Sequence, residues 1–295
     1  MKKFNVTESL KAIFNKNESE ERSPAVVLDI GCRWGFADKF SDDITNGEIK
    51  VYGFDPDVKE CENLKERYKN LKNVQLVPVG LSDSEGRRIL YFTNEPACSS
   101  LYEPISRITS LYPALDCAKT VKQFEVDVTT LDLWCEKEGL SNADYIKIDT
   151  QGSELNILKG GMSILKTTRY LEVEVEFNRI YEEQPIFSDV DKFLREQGFV
   201  LWRLSNLSHY SMGNESEIII GKDHINYDDY IYENDARGGQ LFWADAFYVK
   251  EDIINLNYKG SSRNTIRNDA LIAERLGFKD LSLRIKNYEI KLDKK

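Results

Sequence analysis

An apolar run that ends in an acid and two glycines constrains this chain of 295 residues more than any other feature. Residues 26–28 are Val-Val-Leu, and Asp29, Gly31 and Gly35 follow them. Such a run is typical of a strand covered on both faces, because that strand needs no polar alternation. Glycines let the chain turn tightly after the strand and pass close to a ligand where a Cβ would collide. The run predicts a buried parallel strand followed by a ligand-binding turn.

A second acid, Asp55, follows the next predicted strand, residues 50–54. An acid at that sheet edge can accept hydrogen bonds from both ribose hydroxyls of a nucleoside. Dinucleotide sites require G-x-G-x-x-G, so that the pyrophosphate lies on a helix N-terminus, but this chain has Arg33 where the second glycine would stand. The D-x-G-x-x-x-G spacing therefore favours S-adenosylmethionine over a dinucleotide.

A third predicted strand, residues 143–149, also ends in an acid, Asp149, and Glu154 lies in the first turn of the following helix. In an open α/β sheet the ligand crevice lies beyond the carboxyl ends of the strands. We therefore expect Asp29, Asp55 and Asp149 to converge there, although they are far apart in the sequence.

Strand and helix patterns alternate along the chain, which predicts a mostly parallel sheet wound on both faces. The predicted strands are 25–30, 49–54, 73–79, 143–149, 168–177, 199–204 and 241–249. The predicted helices are 35–44, 57–70, 130–139, 152–166 and 186–197.

The same patterns divide the chain into three parts. We expect an N-terminal helical extension over residues 1–22, the main domain over 23–250 and a helical tail over 251–295. Within the main domain we expect an insertion over 80–130, containing a short hairpin, and a long loop over 205–240.

The composition argues against several classes of protein. The net charge of −10 and the pI of about 5.0 argue against general binding of nucleic acid or anionic membranes, which requires a positive field. Five cysteines without C-x-x-C spacing indicate neither a disulfide framework nor a zinc site. No apolar run approaches the ~18 residues of a membrane span, and the first residues do not resemble a signal peptide. We expect a cytoplasmic protein.

In these motifs and their order, the chain resembles the FkbM family of S-adenosylmethionine-dependent methyltransferases over residues 24–204. The matching pieces are Asp29-Ile30-Gly31 through Gly35, Phe54-Asp55-Pro56, Asn73-Val74 with residues 79–83, Thr130-Leu131-Asp132, and residues 146–149 with Gly152, Glu154 and Leu158-Lys159-Gly160. Residues 174–187 also look like the family.

The resemblance implies a Rossmann-like methyltransferase fold with a seven-stranded sheet whose last strand is reversed. It implies that Gly31 and Gly35, beside Asp29, line the methionine half of the cofactor and that Asp55 holds the ribose. Ser82 or Asp83 would then lie near the adenine. It also implies a small-molecule or glycan acceptor, most often a sugar hydroxyl.

This chain departs from the family pattern at two places. Asp55 stands where the family often has Glu, which keeps both acceptor oxygens. Thr150-Gln151-Gly152 stands where the family often has Val-Glu-Gly, so Gln151 removes a charge near the acceptor.

Transfer of a methyl group to an alcohol requires a group that accepts the hydroxyl proton. Asp149 is the preferred general base, Glu154 is the second candidate, and His209 is a third because histidine often serves as a base near neutral pH. Asp149, Glu154 and Glu176 are hard oxygen ligands of the kind that Mg²⁺ accepts, so a magnesium ion is a further expectation.

Other residues could contribute to acceptor binding. His224, the Arg237-Gly238-Gly239-Gln240 turn and the tyrosines over 227–232 all lie in the expected long loop. In the tail, helix-spaced apolar residues predict packing on the core, on a partner or on a second subunit.

Two alternatives share parts of this pattern. An NAD(P)-dependent oxidoreductase would have the same strand, glycine turn and ribose acid, but it lacks its pyrophosphate glycine here. A non-catalytic interaction protein on a methyltransferase scaffold would have no reason to retain all three acids.

Overall fold

A computed structural model describes residues 23–212, 219–227, 230–237 and 239–292, with only the backbone described over 219–237. The expected N-terminal extension, residues 1–22, lies outside the described residues. In chain order the strands are β1 Ala25–Ile30, β2 Ile49–Phe54, β3 Val74–Val77, β4 Gly80–Ser82, β5 Gly86–Thr93, β6 Thr120–Thr130, β7 Tyr145–Ile148, β8 Tyr170–Glu176, β9 Phe199–Tyr210, β10 Ile219–Tyr227, β11 Tyr230–Arg237 and β12 Gln240–Lys250. The α-helices are α1 Ser41–Thr45, α2 Val58–Arg67, α3 Ser106–Leu111, α4 Leu131–Glu138, α5 Glu154–Lys159, α6 Phe187–Glu196, α7 Glu251–Ile254, α8 Arg263–Arg275 and α9 Lys279–Leu292.

Seven strands form one sheet in the order β3-β2-β1-β7-β8-β12-β9. The pairs within β3-β2-β1-β7-β8 are parallel, whereas β12 is antiparallel to both β8 and β9. This topology confirms the predicted mostly parallel sheet with a reversed last strand. Strand order runs outward in both directions from the β1–β7 pair, which is where a ligand crevice forms in such sheets.

Apolar residues cover both faces of this sheet, as the uninterrupted runs of β1 and β7 predict. On one face, strand residues such as Leu28 and Ile148 pack with Trp134 of α4 and Leu194 of α6. The second face is covered largely by the C-terminal helices. Their apolar residues, Ile266, Ile272, Leu276, Leu281 and Ile285, are buried with Val27, Tyr170 and Val249 of the sheet.

Ion pairs reinforce the contact of the tail with the sheet domain. The Arg169 guanidinium donates two hydrogen bonds to the buried Asp269 carboxylate, and Arg275 donates to both oxygens of Asp43. The helix-spaced apolar stripe of the tail therefore packs on the core of its own chain. None of the helices in the described part of the chain is long and apolar enough to cross a bilayer.

The helix predicted over residues 35–44 is wrong in its first half. Trp34 and Gly35 have positive φ values of 69° and 103°, which a right-handed helix does not allow. Hydrogen bonds from α2 hold this turn, since the Trp34 amide donates to Glu60 and the Arg67 guanidinium donates to the Trp34 carbonyl. Helical structure begins only with a 3-10 turn at Asp38–Phe40, followed by α1.

The long loop expected over residues 205–240 is also wrong. Strand β9 continues to Tyr210, β10 and β11 pair as an antiparallel ribbon, and β12 begins at Gln240. The Asn, Asp and Ser content resembles a loop, but the Ile and Tyr residues between them favour strands.

The region expected as an insertion, residues 80–130, forms a three-stranded sheet in the order β4-β6-β5. The hairpin expected there is instead a long-range pairing, because β5 pairs antiparallel with β6 across the intervening residues 94–119.

Candidate functional site

A cleft of about 450 Å³ opens at the carboxyl ends of the parallel strands. Its lining includes Gly31, Asp55, Asp149, Glu174 and Trp243. The volume lies within the range of small-molecule sites. A cavity of nearly equal volume, about 460 Å³, lies at the opposite end of the sheet beside Ser23 and α8, but none of the three strand-ending acids reaches it.

Close contact between two turns forms the floor of this cleft. Gly31 has a φ of +86°, and a Cβ built on it would lie 1.9 Å from the Asp149 carbonyl oxygen. The Gly31 amide also donates a 2.9 Å hydrogen bond to the Phe54 carbonyl oxygen at the end of β2. The turns after β1, β2 and β7 are therefore held together, as the three strand endings predict.

Asp29 lies just beneath the cleft, at the end of β1, and only 5% of its surface is exposed. Its Oδ1 has no hydrogen-bond partner, although the Lys147 ammonium stands 4.0 Å away. Burial raises the pKa of Asp29 to about 6, and Lys147 partly offsets that effect. A buried carboxylate oxygen without a donor is unusual in a protein and suits a site that receives its donor from a ligand.

Asp55 lies on the cleft wall at the end of β2. The Asp57 amide donates a 2.7 Å hydrogen bond to its Oδ1, which fixes the carboxylate at the start of α2. Burial raises the pKa of Asp55 to about 6. Asp57 itself caps α2 and accepts a 2.6 Å hydrogen bond from Arg33, which links this wall to the glycine turn.

Asp149 lies on the cleft wall with 36% of its side chain exposed. The Lys147 ammonium donates to its Oδ2 at 3.1 Å, and the Gln151 side-chain amide donates to its Oδ1 at 3.2 Å. Burial favours the neutral amine of Lys147, but the Asp149 and Asp29 carboxylates outweigh this effect and raise the pKa of Lys147. Both Asp149 oxygens thus have donors, while the group remains open to the cleft.

Glu154 is placed differently from Asp149. It is buried at the start of α5, and its Oε1 accepts hydrogen bonds from the Thr150 amide, the Thr150 hydroxyl and the Gly152 amide. Burial raises the pKa of Glu154 to about 7, although these bonds oppose the shift. Glu154 therefore holds the loop that carries Asp149 and is not part of the cleft lining.

The remaining expected site residues lie beside the cleft. Ser82 is buried next to the lining residue Leu81 and donates to the Asp83 carboxylate at 3.3 Å, whereas Asp83 is exposed. Gly35, with a φ of +103°, packs against Tyr68. His209 is half-buried on β9, its Nδ1 has no partner, and it is not part of the lining.

Three further expectations concern His224, the turn that begins at Arg237 and the tyrosines over 227–232. Most of the side chains involved lie outside the described part of the chain. The backbone places His224 on β10 opposite Glu233, and Arg237 on β11 opposite Ile219. Gly238 is outside the described residues.

The sequence analysis missed Glu174, a cleft residue on β8, and its neighbour Glu172, and it considered Glu176 only as a possible magnesium ligand. Glu172, Glu174 and Glu176 occupy alternate positions on this strand and all three are buried. Glu172 pairs with the Lys39 ammonium and the Tyr145 hydroxyl, and Glu174 lines the cleft. Burial raises the pKa of Glu174 and of Glu176 well above its usual range. The signal was present in the sequence, because acids at every second position of a buried strand require partners or a ligand.

Two aromatic residues at the Glu174 end of the cleft were also missed. Tyr210 of β9 and Trp243 of β12 both line the cleft, and the Trp243 indole nitrogen donates a 2.8 Å hydrogen bond to the Tyr210 hydroxyl. Neither has a local motif, since only the pairing of β9 with β12 brings them together.

The cleft residues fit S-adenosylmethionine, because they offer hydrogen-bonding groups and space for it. Asp55 offers carboxylate oxygens to a ribose, and the bare Gly31 leaves room beside the Asp149 backbone. Asp29 Oδ1 and the Ser153 hydroxyl are buried without partners at this site. Across the described residues, no group of three His, Cys, Asp or Glu side chains is arranged to hold a metal ion, so the expected magnesium has no ready site among them.

We expect the ligand-free protein to resist unfolding better at about pH 5.5 than at about pH 8. Burial raises the pKa of Asp29 and Asp55 from 3.8 to about 6, so between these values the folded protein keeps protons that the unfolded chain has released. The stability from these protons is complete below the lower value and is lost as pH rises through the higher one. Over the whole shift each group contributes up to about 3 kcal/mol, and somewhat less than about 1 kcal/mol of this is lost between pH 5.5 and pH 8.

Urea unfolding at the two pH values measures this difference. The double variant Asp29→Asn, Asp55→Asn removes both titrating groups, so its free energy of unfolding should depend less on pH. An equal pH dependence in the parent and the double variant would contradict the assignment.

Comparison with known proteins identifies relatives of this chain. The family model of the methyltransferase FkbM domain matches residues 29–201. The 2-O-methyltransferase NoeI of Sinorhizobium fredii is 28% identical over 202 residues, which cover 63% of this chain and 82% of that protein.

Two solved structures of low similarity are among the matches. A putative rRNA methylase from Clostridium thermocellum is 11% identical, covers 85% of this chain and 99% of its own, and has a TM-score of 0.37. Fibrillarin of Aeropyrum pernix, with natively bound S-adenosyl-L-methionine, is 11% identical, covers 82% of this chain and 74% of its own, and has a TM-score of 0.36. TM-scores this low support no comparison of individual residues.

The family model covers more than half of the chain, and its matched segment begins at Asp29 and includes Asp55 and Asp149. The NAD(P)-dependent oxidoreductase considered from the sequence is thereby set aside. This chain belongs to the FkbM family of S-adenosylmethionine-dependent methyltransferases.

Proposed function

We propose that this enzyme methylates a hydroxyl oxygen of a sugar or glycoconjugate. The observation that carries the proposal is the position of Asp149, an accessible carboxylate on the wall of a cleft that also holds Asp55, Tyr210 and Trp243. The relative NoeI, named as a 2-O-methyltransferase, supports transfer to oxygen.

The residues after β1, β2 and β4 would hold the cofactor. In this assignment Asp55 accepts the ribose hydroxyls, Asp29, Gly31 and Gly35 surround the methionine half, and Ser82 or Asp83 lies near the adenine. When bound, S-adenosylmethionine supplies a methyl group that is already activated by its sulfonium charge.

Asp149 would act on the acceptor. A hydroxyl becomes a sufficient nucleophile only as its proton leaves, so a positioned carboxylate accepts that proton while the new carbon–oxygen bond forms. Lys147 holds Oδ2 of Asp149 in place at 3.1 Å. The products are the methyl ether, S-adenosylhomocysteine and a proton that leaves from Asp149 to solvent.

The other two candidate bases are less well placed for this step. Glu154 uses Oε1 to accept three hydrogen bonds from its own loop, and His209 is not part of the cleft lining. We therefore assign Glu154 to holding the Asp149 loop and leave His209 outside the reaction.

The aromatic pair would bind the acceptor ring. Tyr210 and Trp243 present large, rigid apolar surface beside the buried carboxyl of Glu174. Apolar surface with a few well-placed polar groups is typical of small-molecule sites. A pyranose, which has apolar C–H faces and a polar rim, matches that combination.

Methyl transfer from isotopically labelled S-adenosylmethionine tests the proposal. The purified enzyme is incubated with a panel of methyl glycosides and oligosaccharides, and in parallel with phenols, carboxylic acids and amines. Mass spectrometry should find the label as a methyl ether on a sugar hydroxyl. Label that appears in another acceptor class, with none in the sugars, would overturn the proposed acceptor while leaving the methyltransferase activity intact.

Removing the aromatic surface should weaken acceptor binding selectively. In Trp243→Ala we expect the KM for the sugar to rise about tenfold, as expected for loss of roughly 1.4 kcal/mol of contact, with little change in the Kd for S-adenosylhomocysteine. Trp202→Ala is the control, because Trp202 lies outside the cleft and packs on Phe278 at 5.6 Å between ring centroids. An unchanged sugar KM in Trp243→Ala would exclude this surface from acceptor binding.

A further inference from the structure

Gln151 lies at the centre of the contacts around Asp149. It follows β7 by three residues and has a positive φ of 58°. Its side-chain nitrogen donates to Asp149 Oδ1 at 3.2 Å and to Glu174 Oε2 at 2.6 Å. The Tyr181 hydroxyl lies 3.2 Å from its side-chain oxygen, and the Ser100 hydroxyl donates to its backbone carbonyl at 2.6 Å.

These contacts determine the orientation of the amide. A glutamine has two N–H donors on one side and only a carbonyl oxygen on the other. The reverse orientation would place that oxygen against the Asp149 carboxylate, which repels it. The observed arrangement uses both donors, one for each acid.

Like charges surround Asp149 from almost every neighbouring element. The charged groups that interact with it are Asp29 on β1, Lys147 on β7, Glu174 and Glu176 on β8 and Asp245 on β12. Glu154 holds the loop that carries it. Lys147 is the one cation in this set. The Gln151 side-chain amide donates to both Asp149 and Glu174 and is uncharged. It therefore separates the two acids without adding charge to the cluster.

We propose that Gln151 is a positioning residue for methyl transfer, which orients the Asp149 carboxylate towards the acceptor hydroxyl and separates it from Glu174. The inference rests on the proposed role of Asp149 as the base. Burial raises the pKa of Glu174 well above its usual range. The Gln151 amide lies between that carboxyl and Asp149, and it donates to the oxygen of the group that would accept the hydroxyl proton.

The substitution Gln151→Glu tests the electrostatic part of this role with almost no change in shape. It replaces the double donor by a further carboxylate, which disfavours ionisation of Asp149. We expect the acidic limb of the kcat/KM profile on the sugar acceptor to move up by about one pH unit, in line with a like charge at this distance. Below the midpoint of the parent profile, kcat/KM should fall about tenfold, and it should recover at higher pH, while the Kd for S-adenosylhomocysteine stays within about threefold.

Gln75→Glu is the matched control. The side-chain nitrogen of Gln75 on β3 donates to a carboxylate, Glu138 Oε2, at 3.3 Å. Gln75 is exposed and lies outside the cleft lining, and Glu138 is not among the acids beside Asp149. The same change from amide to acid should leave the pH profile of kcat/KM where it is in the parent.

Each outcome separates this inference from the proposed function. If the parent methylates no sugar, the proposed acceptor fails, and a ¹³C-NMR titration of the Asp149 carboxyl, assigned with Asp149→Asn, then decides whether Gln151→Glu shifts its midpoint. If the parent is active and Gln151→Glu shows the parent pH profile, or loses activity equally at all pH values, the inference is overturned. An upward shift of the acidic limb with recovery at high pH supports it.

Discussion

Replacing Asp149 with asparagine is expected to lower kcat for the sugar acceptor by roughly 10²–10⁴-fold, which is the usual contribution of a positioned general base. The substitution retains the size of the side chain and its accessibility in the cleft but removes the group that accepts the proton. We assign the cofactor contacts to Asp29, Gly31 and Asp55, so the Kd for S-adenosylhomocysteine should stay within a few fold. Single-turnover kinetics together with calorimetric titration of S-adenosylhomocysteine separate the two quantities.

Asp127→Asn is the control for the loss of one acid. Its side chain is exposed on β6, where it pairs with Arg87, and it is not part of the cleft lining. This variant should keep the kcat of the parent. Full turnover in Asp149→Asn would show that proximity to the methyl donor suffices without a base, and would remove Asp149 from the mechanism.

Gly31→Ala is expected to have the second large effect, on both folding and cofactor binding. The added Cβ would lie 1.9 Å from the Asp149 carbonyl oxygen, a backbone atom that moves only if the turns after β1 and β7 separate. The φ of +86° adds strain for any residue with a side chain. Overpacking and this strain together should lower the free energy of unfolding by roughly 2–5 kcal/mol.

Cofactor binding should fail for the same reason. A displacement of about 1 Å in the turn shifts both the Gly31 backbone and the Asp149 loop, so we expect affinity for S-adenosylhomocysteine to fall about 100-fold. Urea unfolding and calorimetry on the same preparation give the two values.

Gly47→Ala isolates the contribution of backbone strain. Gly47 has a similar φ of +76°, but no atom lies within 4 Å of a Cβ built there. We expect a loss of only about 1 kcal/mol and unchanged cofactor affinity. Equal effects of the two substitutions on cofactor affinity would mean that contact with Asp149 is unimportant.

Sequence reasoning performed best where a local pattern has a single structural meaning. The apolar runs of β1 and β2 predict those strands with their observed bounds, and the acids after β2 and β7 predict Asp55 and Asp149 on the cleft. It failed over residues 205–240, where the loop-like composition hid two paired strands. It also failed at Trp34, because the hydrogen bonds that stabilise its positive φ come from α2, about 30 residues later.

The acceptor end of the cleft depends on contacts that are distant in the sequence. Glu174, Tyr210 and Trp243 come from three strands, and the antiparallel pairing of β12 with both β8 and β9 brings them together. The spacing of these residues in the sequence does not predict that register. The burial of whole strand faces determines how strands pair, and the residues beside the ligand do not.

The linear pattern was therefore enough to establish the fold class, the cofactor class and the acids at the carboxyl ends of three strands. Each of these follows from the residues of one segment, through burial, glycine geometry and charge. Only the folded chain shows which carboxylate stays accessible and which one accepts hydrogen bonds from its own loop. It alone also shows which charged groups lie beside each of them. Asp149 is accessible in the cleft, whereas Glu154 is bonded to its own loop. The two acids differ because hydrogen bonding and desolvation depend on every element packed around a group.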